Sequence, residues 1–300
     1  MSAICNIMCD STCDFTAEQA KERNVTILPF HYVEAGKPDG GLCGDDDLFQ
    51  SRSAHDFYEA IRNGAAPMTS QPSQLEYDEA FQAAYESGVP TVMFCISSGI
   101  SGGYNGAVAS LDRLKEAHPG EQIRIYVVDT LIASTALTLL LNEACNKRDA
   151  GMSAEDIVAW AQEARFRVRV MFMVEDLDAL HRGGRVPKGV AVVGDALGVK
   201  PLLHFNLDGT LGIRGVARGR KKGLKKLVEH YQKNHELNGE ANVVAVGDAD
   251  VAEDGFSVAT KLRELDDSLE VLRPTIGPTI GSHVGPGMIS MVFWGPDRRK

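Results

Sequence analysis

Short apolar runs, mostly β-branched, recur through the first half of the chain at residues 3–9, 25–31, 90–96 and 123–128. Between them the apolar spacing lengthens. Residues 73–87 carry Leu75, Phe81 and Tyr85 among charged neighbours, and residues 103–118 carry Ala107, Leu111 and Leu114 at helical spacing. Apolar strands alternating with helices predict an α/β fold whose parallel sheet is covered on both faces. Such sheets bind ligands at the carboxyl ends of their strands. Those ends are polar here, with Asp10, Ser11 and Thr12, then Ser97 and Ser98, then Asp129 and Thr130.

The pattern changes after a helix expected at residues 153–164. Strand-like runs follow at 167–174, 201–205, 210–216, 242–246, 270–274 and 288–294, and Asn206 to Gly209 reads as a hairpin turn. A second lobe with a mixed or largely antiparallel sheet is expected. No repeat or Pro-rich linker separates the halves, so two tightly packed lobes are expected, residues 1–160 and 161–300.

Composition narrows the class. With 44% hydrophobic residues in 300, the chain can bury proper cores, and its formal charge of -10 disfavours a nucleic-acid surface. No window approaches a membrane span, and the N-terminus lacks the basic start of a signal peptide, so a cytoplasmic protein is expected. Cys5, Cys9 and Cys13 are spaced near some cluster-binding patterns, but without a fourth soft ligand nearby they read as buried core thiols, and no metal site is expected.

Candidate chemistry lies in five places. Ser70 or Ser73 reads as a helix N-cap, leaving Thr69 free to direct its hydroxyl elsewhere. The glycines before Arg185 allow a tight turn that leaves its guanidinium solvated or aimed into a cleft. Residues 276–287 hold four glycines and two prolines around His283, a loop shaped to place one imidazole. The basic run 214–226 reads as the solvated face of an amphipathic helix, with Leu224, Leu227, Val228 and Tyr231 buried; alternatively Arg218, Arg220 and Lys221 dock a partner. Residues 99–103 spell G-x-S-x-G, and Ser101, Asp129 and His283 follow hydrolase order, which keeps a serine esterase as a rival. The register disagrees, because Ser97 and Ser98 occupy the strand end and Ser101 sits where an N-cap belongs. The other rival is a regulatory module binding a different small ligand.

Taken together, these motifs resemble the DegV family of fatty-acid-binding proteins. The resemblance rests on Asp10-Ser11, Leu28-Pro29, Asp56-Phe57-Tyr58, Thr69 to Ser73, Ser97 to Gly102, Asp129-Thr130, Arg182 to Val186, Lys200-Pro201, Asp208-Gly209 and His283 to Gly287. It departs from the family at Gly103, usually Thr, and at Thr130, usually Ser. The resemblance implies a two-domain α/β fold that buries a long-chain fatty acid as ligand, with no other cofactor. It also implies that Thr69, Ser97 and Ser98 hydrogen-bond the carboxylate, with Arg185 and His283 completing the polar network. A carrier without catalytic residues of its own is implied, presenting the acid to a fatty acid kinase with a dihydroxyacetone-kinase-like domain, as part of phospholipid metabolism and with transient membrane contact. No Walker A spelling or magnesium cluster argues for kinase chemistry in this chain.

Overall fold

The chain's α/β lobes follow from where its apolar runs can pair, and a computed structural model describes them over residues 4–34, 36–37, 41–187, 189 and 198–300. β1 (Asn6–Asp10) leads through a 3-10 turn at Ser11–Cys13 and α1 (Ala17–Glu22) to β2 (Val25–Leu28), which pairs with β1 in parallel. Ala3, where the first apolar run begins, lies outside the described residues. The run 25–31 is two strands, a correction to the single one expected. Pro29 has no N–H for the ladder. The chain turns there, with the Phe30 amide donating to Ser11 Oγ at 3.0 Å, and resumes as β3 (His31–Glu34). Together with β4 (Gly44–Asp45) and β5 (Pro67–Ser70), it forms a small antiparallel sheet; α2 (Ala54–Arg62) lies between these two.

α3 (Gln74–Glu86) starts at Ser73, whose hydroxyl accepts from the Glu76 amide while the Glu76 side chain returns to the Ser73 amide, a capping box. It is followed by β6 (Thr91–Cys95), α4 (Gly103–Ala117) and β7 (Ile125–Asp129). The first sheet is parallel throughout, in the order β2-β1-β6-β7. α5 (Thr135–Asp149) has no counterpart among the expected helices. Eleven of its residues are buried, so it lacks the polar face that periodicity detects. α6 (Ala154–Ala164) is capped by Ser153 and packs on β6 and β7, so the expected boundary at residue 160 falls inside a helix of the first lobe.

The second lobe holds β8 (Val168–Met173), α7 (Asp178–Arg182), β9 (Val199–Phe205), β10 (Leu211–Arg218), α8 (Arg220–Asn234), β11 (Val243–Asp248), α9 (Ala252–Leu265), β12 (Glu270–Leu272), α10 (Pro278–Val284) and β13 (Ile289–Trp294). Its sheet is mixed, ordered β10-β9-β8-β13-β11-β12, and only β11 and β12 run parallel. Strand alternation divides its two faces. Met171 and Met173 pack with Met291, Phe293 and the α8 residues Leu224 and Leu227. Val170, Phe172 and Val292 turn the other way and join α5 and the first lobe's Ile7, Phe94 and Val128 in one continuous cluster. The lobes therefore share a core, with α5 packed against β8, β11 and β13.

Candidate functional site

That shared face is incompletely filled. The ends of β6 and β7, the first turn of α5, α10 and the inner faces of β8, β9, β10 and β13 enclose a cavity walled by Phe30, Ile96, Ala136, Val170, Phe172 and Val292, among other residues. The space between its wall atoms is about 650 Å³ including the mouth, yet only about 60 Å³ admits the centre of a water molecule. It is narrow. Leu211, Ile280 and Met288 also line it. Where the apolar wall ends, Arg185 and His283 begin, and Arg185 also borders two outer clefts. One is flanked by Met68, Thr69 and Arg182; the other is a bowl bounded by Ser98, Gly99, Ser101, Asn206 and Thr210.

Thr69 and His283, 214 positions apart, meet directly, with Thr69 Oγ1 at 2.7 Å from His283 Nε2. Pairing of β5 with β3 aligns Thr69 with Tyr32, and alternation leaves Met68 exposed while Thr69 turns inward. Residues 276–287 are not the loop expected from their glycines and prolines. Pro278 occupies the first turn of α10, where its missing N–H costs nothing, and His283 lies in the last turn. Gly183 closes on the imidazole, since a Cβ there would stand 2.4 Å from Nδ1.

Burial, reinforced by the Arg185 and Arg182 charges, pushes His283 down to about 4. The imidazole is therefore neutral at pH 7. With its proton on Nε2 it donates to Thr69, whose own hydroxyl proton is then free for an anion. Arg185 Nε donates to the Ile100 carbonyl at 3.0 Å and Nη1 to that of Gly183, which holds the fork in place. Burial also lowers its pKa, and among the described residues no carboxylate pairs with it. A partly buried, unpaired guanidinium is a place for an anion.

The two serines are engaged otherwise. Ser97 Oγ donates to the Gly209 carbonyl at 2.8 Å and accepts from the Gly99 amide, locking the β9–β10 hairpin onto the first lobe. Ser98 Oγ and its amide both donate to Asp129, at 2.5 and 3.1 Å. Thus Thr69, Arg185 and His283 converge, while Ser97 and Ser98 shape the adjoining loop. Thr279 and Ser101 also line the cavity, though sequence reading did not single them out as ligand contacts. Thr279 precedes His283 by four residues, a signal legible only once 276–287 is known to contain a helix.

Ser101 is not the N-cap expected. Gly102 holds that position, and Ser101 Oγ accepts from the Gly103 amide at 3.2 Å. Nor does it form a triad, for Asp129 bonds Ser98 and His283 bonds Thr69. Ser101 should therefore react with a fluorophosphonate probe only at background level; stoichiometric labelling at this residue would restore the esterase. At the two departures from the family, Thr130 Oγ1 donates to the Cys95 and Ile132 carbonyls, and a Cβ on Gly103 would stand 3.3 Å from Phe30.

The basic run divides between β10 and α8. Leu224, Leu227, Val228 and Tyr231 are buried as expected. Arg220, however, pairs with Glu175 and Asp254, while Arg214, Arg218, Lys221, Lys222, Lys225 and Lys226 are exposed. Cys5, Cys9 and Cys13 are buried free thiols, and among the described residues no group of three or more His, Cys, Asp or Glu is placed to hold a metal.

The depressed His283 pKa has a stability consequence. The unfolded chain protonates this residue below its ordinary 6.5 and the folded one only near 4, so the neutral imidazole's contribution is complete above 6.5 and is lost as pH falls through 4. Asp14 and Asp46, raised by burial to about 7 and about 6, act in the opposite sense, so the useful quantity is a difference between proteins. Between pH 7 and pH 4.5, His283→Gln should lose fewer degrees of melting temperature than wild type; equal losses would mean the histidine does not titrate as described.

Comparison with known proteins identifies the family and the fold. The family model described as "Uncharacterised protein, DegV family" matches residues 5–295. A DegV domain-containing protein of Clostridium perfringens is 30% identical over 295 residues, covering 96% of this chain and 97% of its own. A stearic acid-binding protein from Eubacterium ventriosum superposes with a TM-score of 0.82 at 27% identity, covering 97% of this chain and 98% of its own. The Fatty Acid Kinase B3 protein of Streptococcus pneumoniae, loaded with linoleic acid, gives 0.81 at 20% identity over 97% of this chain and 99% of its own, a likeness of fold. Among the described residues no helix is long and apolar enough to cross a membrane.

Proposed function

The chain belongs to the DegV family, and from that premise we propose that it binds one long-chain fatty acid and presents its carboxylate to a separate fatty acid kinase. The acyl chain occupies the cavity between the lobes, and the carboxylate meets Thr69, His283 and Arg185. One observation carries this reading: the apolar cavity ends at an unpaired guanidinium beside a neutral His–Thr pair. Each methylene removed from water contributes about 0.8 kcal/mol, and each charge-assisted hydrogen bond about 1.5 to 3. The tail therefore supplies most of the affinity, and the head sets its direction. Ser97 and Ser98 serve by holding the loop that shapes the mouth, since their hydroxyl protons go to Gly209 and Asp129.

The kinase belongs to the same proposal. The bowl in front of Arg185, about 730 Å³, leaves room for a second protein's reactive group, and Arg218 and Lys221 supply an exposed cationic surface for docking. The partner is a kinase with a dihydroxyacetone-kinase-like domain, acting in the cytoplasm to make an acyl phosphate for phospholipid metabolism, with transient membrane contact for loading. Native mass spectrometry of the purified protein should show one bound fatty acid, released by organic extraction. A chain that never carries or takes up a fatty acid would end this reading. With the kinase added, reversing the charge of Arg218 and Lys221 should slow acyl-phosphate formation and leave the bound acid in place; an unchanged rate and salt dependence would assign these cations to solubility alone.

A further inference from the structure

His283 rides on a helix of seven residues whose first turn is held by the other lobe. The Gly277 amide donates to Asp14 Oδ1 and the Thr279 amide to Asp46 Oδ2, each at 3.0 Å. The second Asp14 oxygen accepts from Ser134 Oγ at 2.5 Å, and Ser134 itself lines the cavity. The Tyr58 hydroxyl donates to the Ile276 carbonyl at 2.6 Å, and a Cβ on Gly281 would stand 2.6 Å from the Tyr58 hydroxyl oxygen. Asp14, Asp46 and Tyr58 are all buried.

We infer that Asp14 and Asp46 are positioning residues for head-group recognition: they set the axis of α10 and thereby hold His283 against Thr69. This rests on the fatty-acid reading above. From Thr279 to His283 the helix rises about 6 Å, so a small tilt at the anchored turn displaces the imidazole from a 2.7 Å contact. These are not local caps, for the N-cap Gly277 has no side chain to offer. α1, α2, α3 and α6 are capped by the hydroxyls of Thr16, Ser53, Ser73 and Ser153, groups that accept the same amide bond without burying a charge. α10 is instead anchored by two carboxylates reaching across from the first lobe, and their burial raises both pKa values. When ionised, each grips an amide more firmly than a hydroxyl does, and when protonated it keeps a carbonyl oxygen to accept the same bond, so the helix axis stays anchored in either state.

The test uses Asp14→Asn and Asp46→Asn, each alone and combined with His283→Ala, with affinity measured for a long-chain fatty acid and for its methyl ester. Each single variant should bind the acid about five- to tenfold more weakly, the size of one weakened hydrogen bond, and the ester as wild type does. In the His283→Ala background neither should cause a further loss, because the effect passes through the imidazole. Additive losses, or equal weakening of acid and ester, would overturn the inference. If one aspartate variant does not fold, the other and Tyr58→Phe, which removes only the Ile276 anchor, make the same demand. Should His283→Ala bind the acid normally, the head-group site itself is wrong; should only the aspartate variants bind normally, the positioning role alone falls.

Discussion

Replacing Thr69 by valine or His283 by alanine should weaken binding of a long-chain fatty acid about five- to hundredfold and leave its methyl ester nearly untouched. The range follows from losing about 1 to 3 kcal/mol when a desolvated anion is deprived of one donor. Thr69→Val is close to isosteric, so it removes the hydroxyl and little else. It breaks the path by which the neutral imidazole frees a proton for the ligand, since Thr69 Oγ1 is the atom that His283 Nε2 meets. Arg185 stays in both variants, held by the Ile100 and Gly183 carbonyls, which is why binding should persist at reduced strength. Titration calorimetry of acid and ester on variants with unchanged melting temperature decides the matter. Unaltered acid affinity would move the head group elsewhere; parallel loss of acid and ester would make these residues part of the wall.

Ala136→Phe should act on the tail and so abolish both ligands, with affinity falling more than about a hundredfold for acid and ester alike. Ala136 is 1% exposed, sits in the first turn of α5 and lines the cavity together with Val170 and Val292. A phenyl ring placed there occupies space that the acyl chain needs, and each methylene left in water forfeits about 0.8 kcal/mol. Four displaced methylenes suffice for the predicted loss. Overpacking costs about 1 to 3 kcal/mol of stability where a core is full. In so narrow a space the ring displaces wall side chains, and in a chain of this size a cost of that order lowers the melting temperature by only a few degrees. A variant that stays folded and still binds the acid would show that the chain lies somewhere else.

Much of the architecture was legible in the amino-acid sequence because burial imposes periodicity. The apolar runs 90–96, 123–128, 167–174 and 288–294 each hold a strand, two of them, β6 and β13, buried at every residue, and the helix start expected at Ser70 or Ser73 falls at Ser73. The motifs at Thr69, Ser97, Arg185 and His283 marked four loops worth watching. Periodicity reports that a face is buried, and not against what. α5 was invisible because both lobes cover it, leaving no polar stripe to set its phase. The split at Pro29 depended on which edge was free to accept β3, and the helix within 276–287 depended on Asp14 and Asp46 arriving from the other lobe to hold its first turn. The polar partners were least legible of all. A hydroxyl proton goes to whichever acceptor the fold brings within 3 Å, so Ser97 turned to Gly209 and Ser98 to Asp129, while Thr69 met His283. The residue types specified what chemistry was available, and the packing of one lobe on the other decided which groups would share it.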